Sequence, residues 1–293
     1  MNTDKIKVIA FDADDTLWDC QGHFEVVMQH LYDELVPWVD RETAALELFA
    51  TERKNMRLLG YGVKAFTLSM LETAMRVSRN EMPAATINDI LQRCYSLLEF
   101  PCTPLPEVEE TLKALRRPQS SPLSNKSGDR AQSSPLPKMS GQITPLSKRS
   151  GQFTPLSKMS GDIGKSSPPS EGSGEAPLLV CFTKGELLDQ EHKLERSGLA
   201  HYFDHVEITS DKGEPEFRAL CEKLSVSPDE MLMVGNSLKS DIAPAIAIGC
   251  LAVYIPFHVT WQLEHHDHFE HPRMVQIEHF SQLLDVLKLS TLR

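Results

Sequence analysis

Asp12, Asp14, Asp15 and Thr16 close an apolar run in VIAFDADDTLWD (residues 8–19), placing three carboxylates within four positions. Carboxylates this close raise one another's pKa unless a cation holds them ionised. Magnesium suits such a set, because it prefers oxygen donors, takes only one or two carboxylates and keeps several waters. Further polar groups follow later apolar runs: Thr183 and Lys184 after PLLVCF, Lys212 after HVEIT, and GNSLKSD (Gly235 to Asp241) after MLMVG. Asp12 and Asp241 are candidate ligands of the ion. A hydroxyl from Thr183 and an ammonium from Lys212 complete a cradle for a phosphoryl group.

These residues need a scaffold that brings strand ends together. The first strand is expected near Lys5 to Phe11, followed by a long helical stretch from about Phe24 to Leu98, with FEVVMQHLYDEL and INDILQRCYSLL at helical spacing. EVEETLKALRR is a further amphipathic helix. PLLVCF, HVEIT, MLMVG and LAVYIP read as four more buried strands, separated by the helices GELLDQEHKLERSGL, PEFRALCEKL and SDIAPAIAIG. Strands alternating with helices imply an α/β fold, a Rossmann-like parallel sheet with helices on both faces. Ligands of such sheets gather at the carboxyl ends of the strands, where each candidate residue falls.

The chain has 293 residues, 41% of them hydrophobic and 24% charged, with a formal net charge of -11. The negative charge opposes adhesion to nucleic acid or an anionic membrane and leaves a small molecule as the expected partner. No apolar stretch approaches the roughly 18 residues that span a bilayer, and MNTDKIKVIAFDADD lacks the order of a signal peptide, so a cytoplasmic location is expected. The six cysteines form no CxxC pair, which favours buried apolar roles over disulfides or structural zinc. Residues 117–176 differ from the rest: 15 Ser, 8 Pro and 7 Gly fill half of them. That composition cannot offset chain entropy by burial, so a disordered insertion is expected. Within it a unit of ten residues recurs as SPLPKMSGQI, TPLSKRSGQF and TPLSKMSGDI, from Ser134, Thr144 and Thr154. Its Ser-Pro and Thr-Pro steps are candidate docking or phosphorylation sites; a tolerated loop expansion is the plainer reading.

Four ordered motifs now stand out: DADDT, a Thr closing the second strand, a Lys before the next helix, and an acidic GNSxxSD. Together they resemble the motifs of the haloacid dehalogenase superfamily. The resemblance covers essentially the whole chain outside the insertion, and the helical block after the first motif is placed like that superfamily's all-helical cap. GYGVKAFTLSMLETA, TKGELLDQEHKLERSGL and MVGNSLKSD are also similar to bacterial members known only as hydrolases. The implied organisation is a catalytic core of residues 1–18, 100–116 and 177–293, a cap of residues 19–99 and the insertion.

The resemblance implies that Asp12 is a nucleophile attacking phosphorus and that Asp14 is the general acid and base. Thr183 and Lys212 would bind the phosphoryl oxygens. Asp12, the Asp14 carbonyl, Asn236 and Asp241 would hold magnesium, while Asp15 and Thr16 shape the loop. Asn236 departs from the superfamily's usual Gly-Asp and contributes no charge. The expected activity is a magnesium-dependent phosphatase for small phosphate monoesters, with haloacid dehalogenase, phosphomutase and non-catalytic binding protein as alternatives. Three features stay open between function and packing. The His258, His265, His266, His268 and His271 stretch is a metal site or a solvated loop, Trp261 an entrance residue or a packed aromatic, and Gly60-Tyr61-Gly62 a flexible turn over the site or an ordinary one.

Overall fold

A computed structural model describes residues 2–116, 176–259 and 261–288 of the chain. The expected insertion, with its repeats, lies outside these residues but for its last position.

Strand β1 (Val8–Phe11) is apolar and fully buried at every position, as a central strand covered on both faces must be. β2 (Leu178–Lys184) and β4 (Met231–Gly235) flank it in parallel, and β3 (His205–Thr209), β5 (Leu251–Tyr254) and β6 (Met274–Gln276) complete the order β3-β2-β1-β4-β5-β6. All pairings are parallel. Five of these strands match the sequence reading; β6 does not. Its three half-buried or exposed residues, MVQ, lack the apolar run that marks a buried strand.

Successive residues of β1 face opposite ways. Ile9 and Phe11 join a core closed by α5 (Val108–Leu115), α6 (Leu187–Ser197) and α9 (Gln282–Val286), including Val108, Leu112, Leu194 and Leu283. Val8 and Ala10 join Phe217 and Leu220 of α7 (Glu214–Leu224) and Ala245 of α8 (Ala243–Ile248). The stretch read as the helix SDIAPAIAIG begins instead as a wide π-type turn, Leu238–Ile242, before α8. All six cysteines are buried and unpaired.

Between β1 and α5 lie α1 (Gln21–Leu35), α2 (Arg41–Leu59), α3 (Val63–Val77) and α4 (Ala84–Ser96). Leu31, Leu35, Leu48, Met70, Ala74, Ile90 and Cys94 bury their side chains in a core separate from the sheet's. The pattern is helical: Val27, Leu31 and Leu35 recur every four residues, and Asp40 caps α2 by accepting from the Thr43 N–H. Phe24 packs against both cores and ties the helical cap to the sheet. Among the described residues no helix is long and apolar enough to cross a membrane.

Candidate active site

Register places the candidates. Phe11 pairs with Cys181 on one side and Val234 on the other, so Asp12 emerges level with the last residues of β2 and β4. The Asp12 N–H donates to the Val234 carbonyl at 2.9 Å, extending the ladder by one residue. Thr183, near the end of β2, and Asn236, just past β4, stand on either side of it.

A fully buried lysine joins two of the carboxylates. Lys212 Nζ donates to Asp12 Oδ1 at 2.5 Å and to Asp241 Oδ1 at 2.7 Å. Burial would lower the Lys212 pKa, but the two charges outweigh it and push it up. Asp12 moves the other way from most paired carboxylates: burial and the Asp241 charge raise it, more than Lys212 lowers it. Asp241 Oδ2 accepts the Ser237 N–H at 2.9 Å. A Cβ on Gly235 would lie 2.3 Å from that oxygen, so β4 must end in glycine for Asp241 to reach the site.

The oxygens fit the expected ion. The Thr16 hydroxyl lies 3.1 Å from both Asp12 Oδ2 and Asn236 Oδ1, and its single proton serves one of them at a time. One hard oxygen therefore wants another partner, and two buried carboxylates share one lysine. An oxygen-only set short of positive charge suits magnesium. The histidine stretch behaves differently. His258, His265, His266, His268 and His271 are all exposed, and among the described residues no three His, Cys, Asp or Glu side chains gather as metal ligands.

Asp14 is held from three sides. Trp18 Nε1 donates to its Oδ1 at 2.8 Å, while Gln190 Nε2 and Lys193 Nζ donate to Oδ2 at 2.8 and 2.9 Å. Burial pushes its pKa up, but Lys193 and these hydrogen bonds prevail and hold the carboxyl below its ordinary 3.8. Asp15, at a φ of 62°, turns away and accepts the Cys20 and Gln21 N–H groups at the start of α1; burial pushes its carboxyl up to about 7. Thr183 is buried beside them, its hydroxyl 3.4 Å from Gln190 Oε1.

Asp12, Asp14 and Thr183 line one cavity of about 160 Å³, with Asn236, Asp241 and residues of the helical cap. The cap reaches the sheet through Tyr61, which sits between Gly60 and Gly62 at φ of 70° and 109°. Its ring centroid is 4.1 Å from Lys184 Nζ and 5.9 Å from that of Trp261. Lys184 in turn donates to Ser240 Oγ at 2.6 Å and to Glu264 Oε1. Glu264 Oε2 accepts the Ser237 and Ser240 hydroxyls. Tyr61 and Trp261 thus face the cavity and pack at once. Gln190, Lys193, Glu52 and Glu264 were not read from the sequence. The i, i+3 spacing of Gln190 and Lys193 on one face of α6 was the available signal.

No family model matches the chain. A glyceraldehyde 3-phosphate phosphatase from Methanothermobacter thermautotrophicus is 30% identical over 115 residues, 37% of this chain and 50% of that protein. One of the same name from Pyrococcus furiosus is 29% identical over 121 residues, 39% of this chain and 49% of the other. The chain spans about half the length of these curated relatives. Among solved structures, a haloacid dehalogenase-like hydrolase from Xanthomonas campestris superposes with a TM-score of 0.69 at 23% identity, covering 97% of this chain and 91% of that one. A hydrolase of the same type from Bacillus subtilis, bound to magnesium, gives 0.56 at 14% identity over 97% and 99%. A 2-haloacid dehalogenase from Pseudomonas syringae gives 0.53 at 18% over 97% and 98%. These likenesses show that the chain shares the fold of haloacid dehalogenase-like hydrolases, here with a block of four helices between β1 and α5.

Proposed function

We propose that this protein is a magnesium-dependent phosphatase of small phosphate monoesters, with Asp12 as nucleophile. The observation that carries the reading is a second carboxylate, Asp14, held at the same cavity by Trp18, Gln190 and Lys193. Departure of an alkoxide needs a proton donor, whereas a halide leaves unprotonated. The phosphatases among the relatives and the magnesium-bound neighbour support the same reading.

An Asp12 oxygen attacks phosphorus as the bond to the alcohol oxygen breaks, giving an aspartyl phosphate. Lys212 keeps Asp12 oriented and places positive charge beside the phosphoryl oxygens, and the Thr183 hydroxyl donates to one of them. The negative charge of the incoming phosphoryl group opposes that of Asp14 and favours its protonation, so it can protonate the departing alcohol. As a carboxylate it then takes a proton from the water that attacks phosphorus, releasing inorganic phosphate and free Asp12. Asp12, the Asp14 carbonyl, Asn236 and Asp241 would hold magnesium, which supplies further positive charge against the phosphoryl oxygens when bound.

The test is hydrolysis of an aryl phosphate by the purified chain with and without magnesium, beside Asp12→Asn and Asp14→Asn. Magnesium-dependent turnover lost in both folded variants upholds the reading. Halide release from a 2-haloacid, without phosphate release from any ester, overturns it in favour of a dehalogenase.

A further inference from the structure

Glu52 is the charged residue that the cap contributes to the cavity lining, and among the described residues it has neither a cation, as Asp12, Asp14, Asp241 and Glu264 do, nor the pair of backbone N–H groups that hold Asp15. The others are answered. Lys212 bridges Asp12 and Asp241, Lys193 meets Asp14, Lys184 meets Glu264, and Asp15 rests on backbone N–H groups. Glu52 is buried on α2 at 8% exposure, with the Trp261 indole as its hydrogen-bond partner. Burial, opposed by that hydrogen bond and reinforced by the like charge of Glu25, pushes its carboxyl up to about 7.

Phe24, Met28, Met56 and Phe66 line the same cavity as Glu52 and give this part of it an apolar share, with Phe24 and Phe66 edge to face at 4.9 Å. Beside it the Asn55 amide donates to Ser69 and Glu72, and so adds no charge. We propose that Glu52 is the recognition carboxylate of a leaving-group subsite, whose substrate is a phosphate monoester with a short apolar body ending in a protonated amine. This rests on the phosphatase reading for the phosphoryl end. At the other end, an ammonium answers the buried charge, and aromatic faces favour a cation in a dry pocket. A leaving group with its own carboxylate is excluded by the same geometry. It meets Glu52 directly, and the lysines at the cavity are already engaged. Lys184 has Glu264, Ser240 and the Tyr61 ring, and Lys193 has Asp14, Asp189 and the Cys20 sulfur.

The experiment compares phosphate release from aminobutyl, pentyl and carboxybutyl phosphate by the full chain with magnesium, in wild type and Glu52→Gln. The wild type should prefer the amine to the carboxylate at least about tenfold in kcat/KM, and Glu52→Gln should shrink the amine-to-pentyl ratio about tenfold. A carboxylate ester cleaved as well as the amine, or a ratio unmoved by the substitution, overturns the subsite. If Glu52→Gln does not fold, the wild-type amine-to-carboxylate ratio decides alone. If no ester releases phosphate, the phosphatase reading falls. Calorimetric binding of the same two charged esters then decides the subsite: tighter binding of the amine upholds it and equal binding overturns it.

Discussion

The Lys193 ammonium lies 2.9 Å from Asp14 Oδ2, joining a fully buried residue of α6 to the loop that follows β1. The same nitrogen is 3.3 Å from Asp189 Oδ2, and neither oxygen of that buried carboxylate has a hydrogen-bond partner. One lysine therefore answers two carboxylates. Lys193→Met should cost about 3–5 kcal/mol, because it strands charge in the interior. Adding Asp189→Leu should restore a large part of that loss, since it removes the stranded carboxylate. Urea unfolding of both variants checks this; a single variant as stable as wild type contradicts it. The pH dependence has a definite sign. Asp14 is held below 3.8, so its contribution is complete above that value and lost as pH falls through its folded pKa. Lys193→Met should flatten that acid limb.

Asp12 contributes to stability in the opposite sense. Burial and Asp241 raise its pKa, so the folded state grips a proton more tightly than the unfolded chain does. Stability then declines as pH climbs from 3.8 through the raised value. On the proposed reading a divalent cation would take the place of that proton. Magnesium at ten times its dissociation constant should add about 1.4 kcal/mol, or about 3–6 °C in Tm, at pH 8, and less at pH 5.5. Thermal unfolding with and without magnesium measures the difference, which should vanish in Asp241→Asn. An equal shift at both pH values would separate magnesium binding from these carboxylates.

On the proposed reading Asn236 is a neutral magnesium ligand, where a carboxylate would bind the cation more strongly. Its Oδ1 shares the Thr16 hydroxyl with Asp12, so a carboxylate there would enter the same oxygen cluster. Asn236→Asp should lower the magnesium concentration for half-maximal activity about tenfold, equivalent to about 1.4 kcal/mol. Without magnesium it should lower Tm, because a third carboxylate would add negative charge beside the Thr16 hydroxyl that already faces Asp12. A magnesium titration of activity, paired with metal-free melting, tests both halves.

The strands and the residues at their ends were legible because buried parallel strands are short apolar runs and the chemistry begins where each run stops. Asp12 after Phe11 and Asn236 after Gly235 are such stops. Lys193 was hidden for a physical reason: a polar helix face usually meets water, and DQEHKLERS looks like any amphipathic helix. In the fold, Asp189, Gln190 and Lys193 point inward, because Asp14 waits there to pair with them. Glu52 and Trp261 lie 209 positions apart and meet only when the cap packs on the sheet. No local pattern encodes that meeting. Tyr61 was half visible, since two glycines marked a turn without showing that its ring rests on Lys184.

The ends of the expected insertion bear on the last prediction. Arg116, closing α5, pairs with Asp204 at 2.7 Å and donates to the Tyr202 carbonyl, just before β3 begins. Leu178, the first residue of β2, pairs with Val8 at the amino end of β1. Both described flanks thus lie at the strands' amino ends, whereas Asp12 and Thr183 stand at the carboxyl ends. The flanks are also anchored independently of what joins them, because Asp204 accepts from both Arg116 and the Leu179 N–H. Replacing residues 118–175 with a short Gly-Ser linker should therefore keep kcat and KM within about twofold and leave Tm unchanged or slightly higher, since shortening a loop lowers its closure entropy. Steady-state kinetics and melting of the shortened chain provide the check. A variant that folds with an unchanged Tm yet loses turnover would show that the repeats reach the catalytic edge.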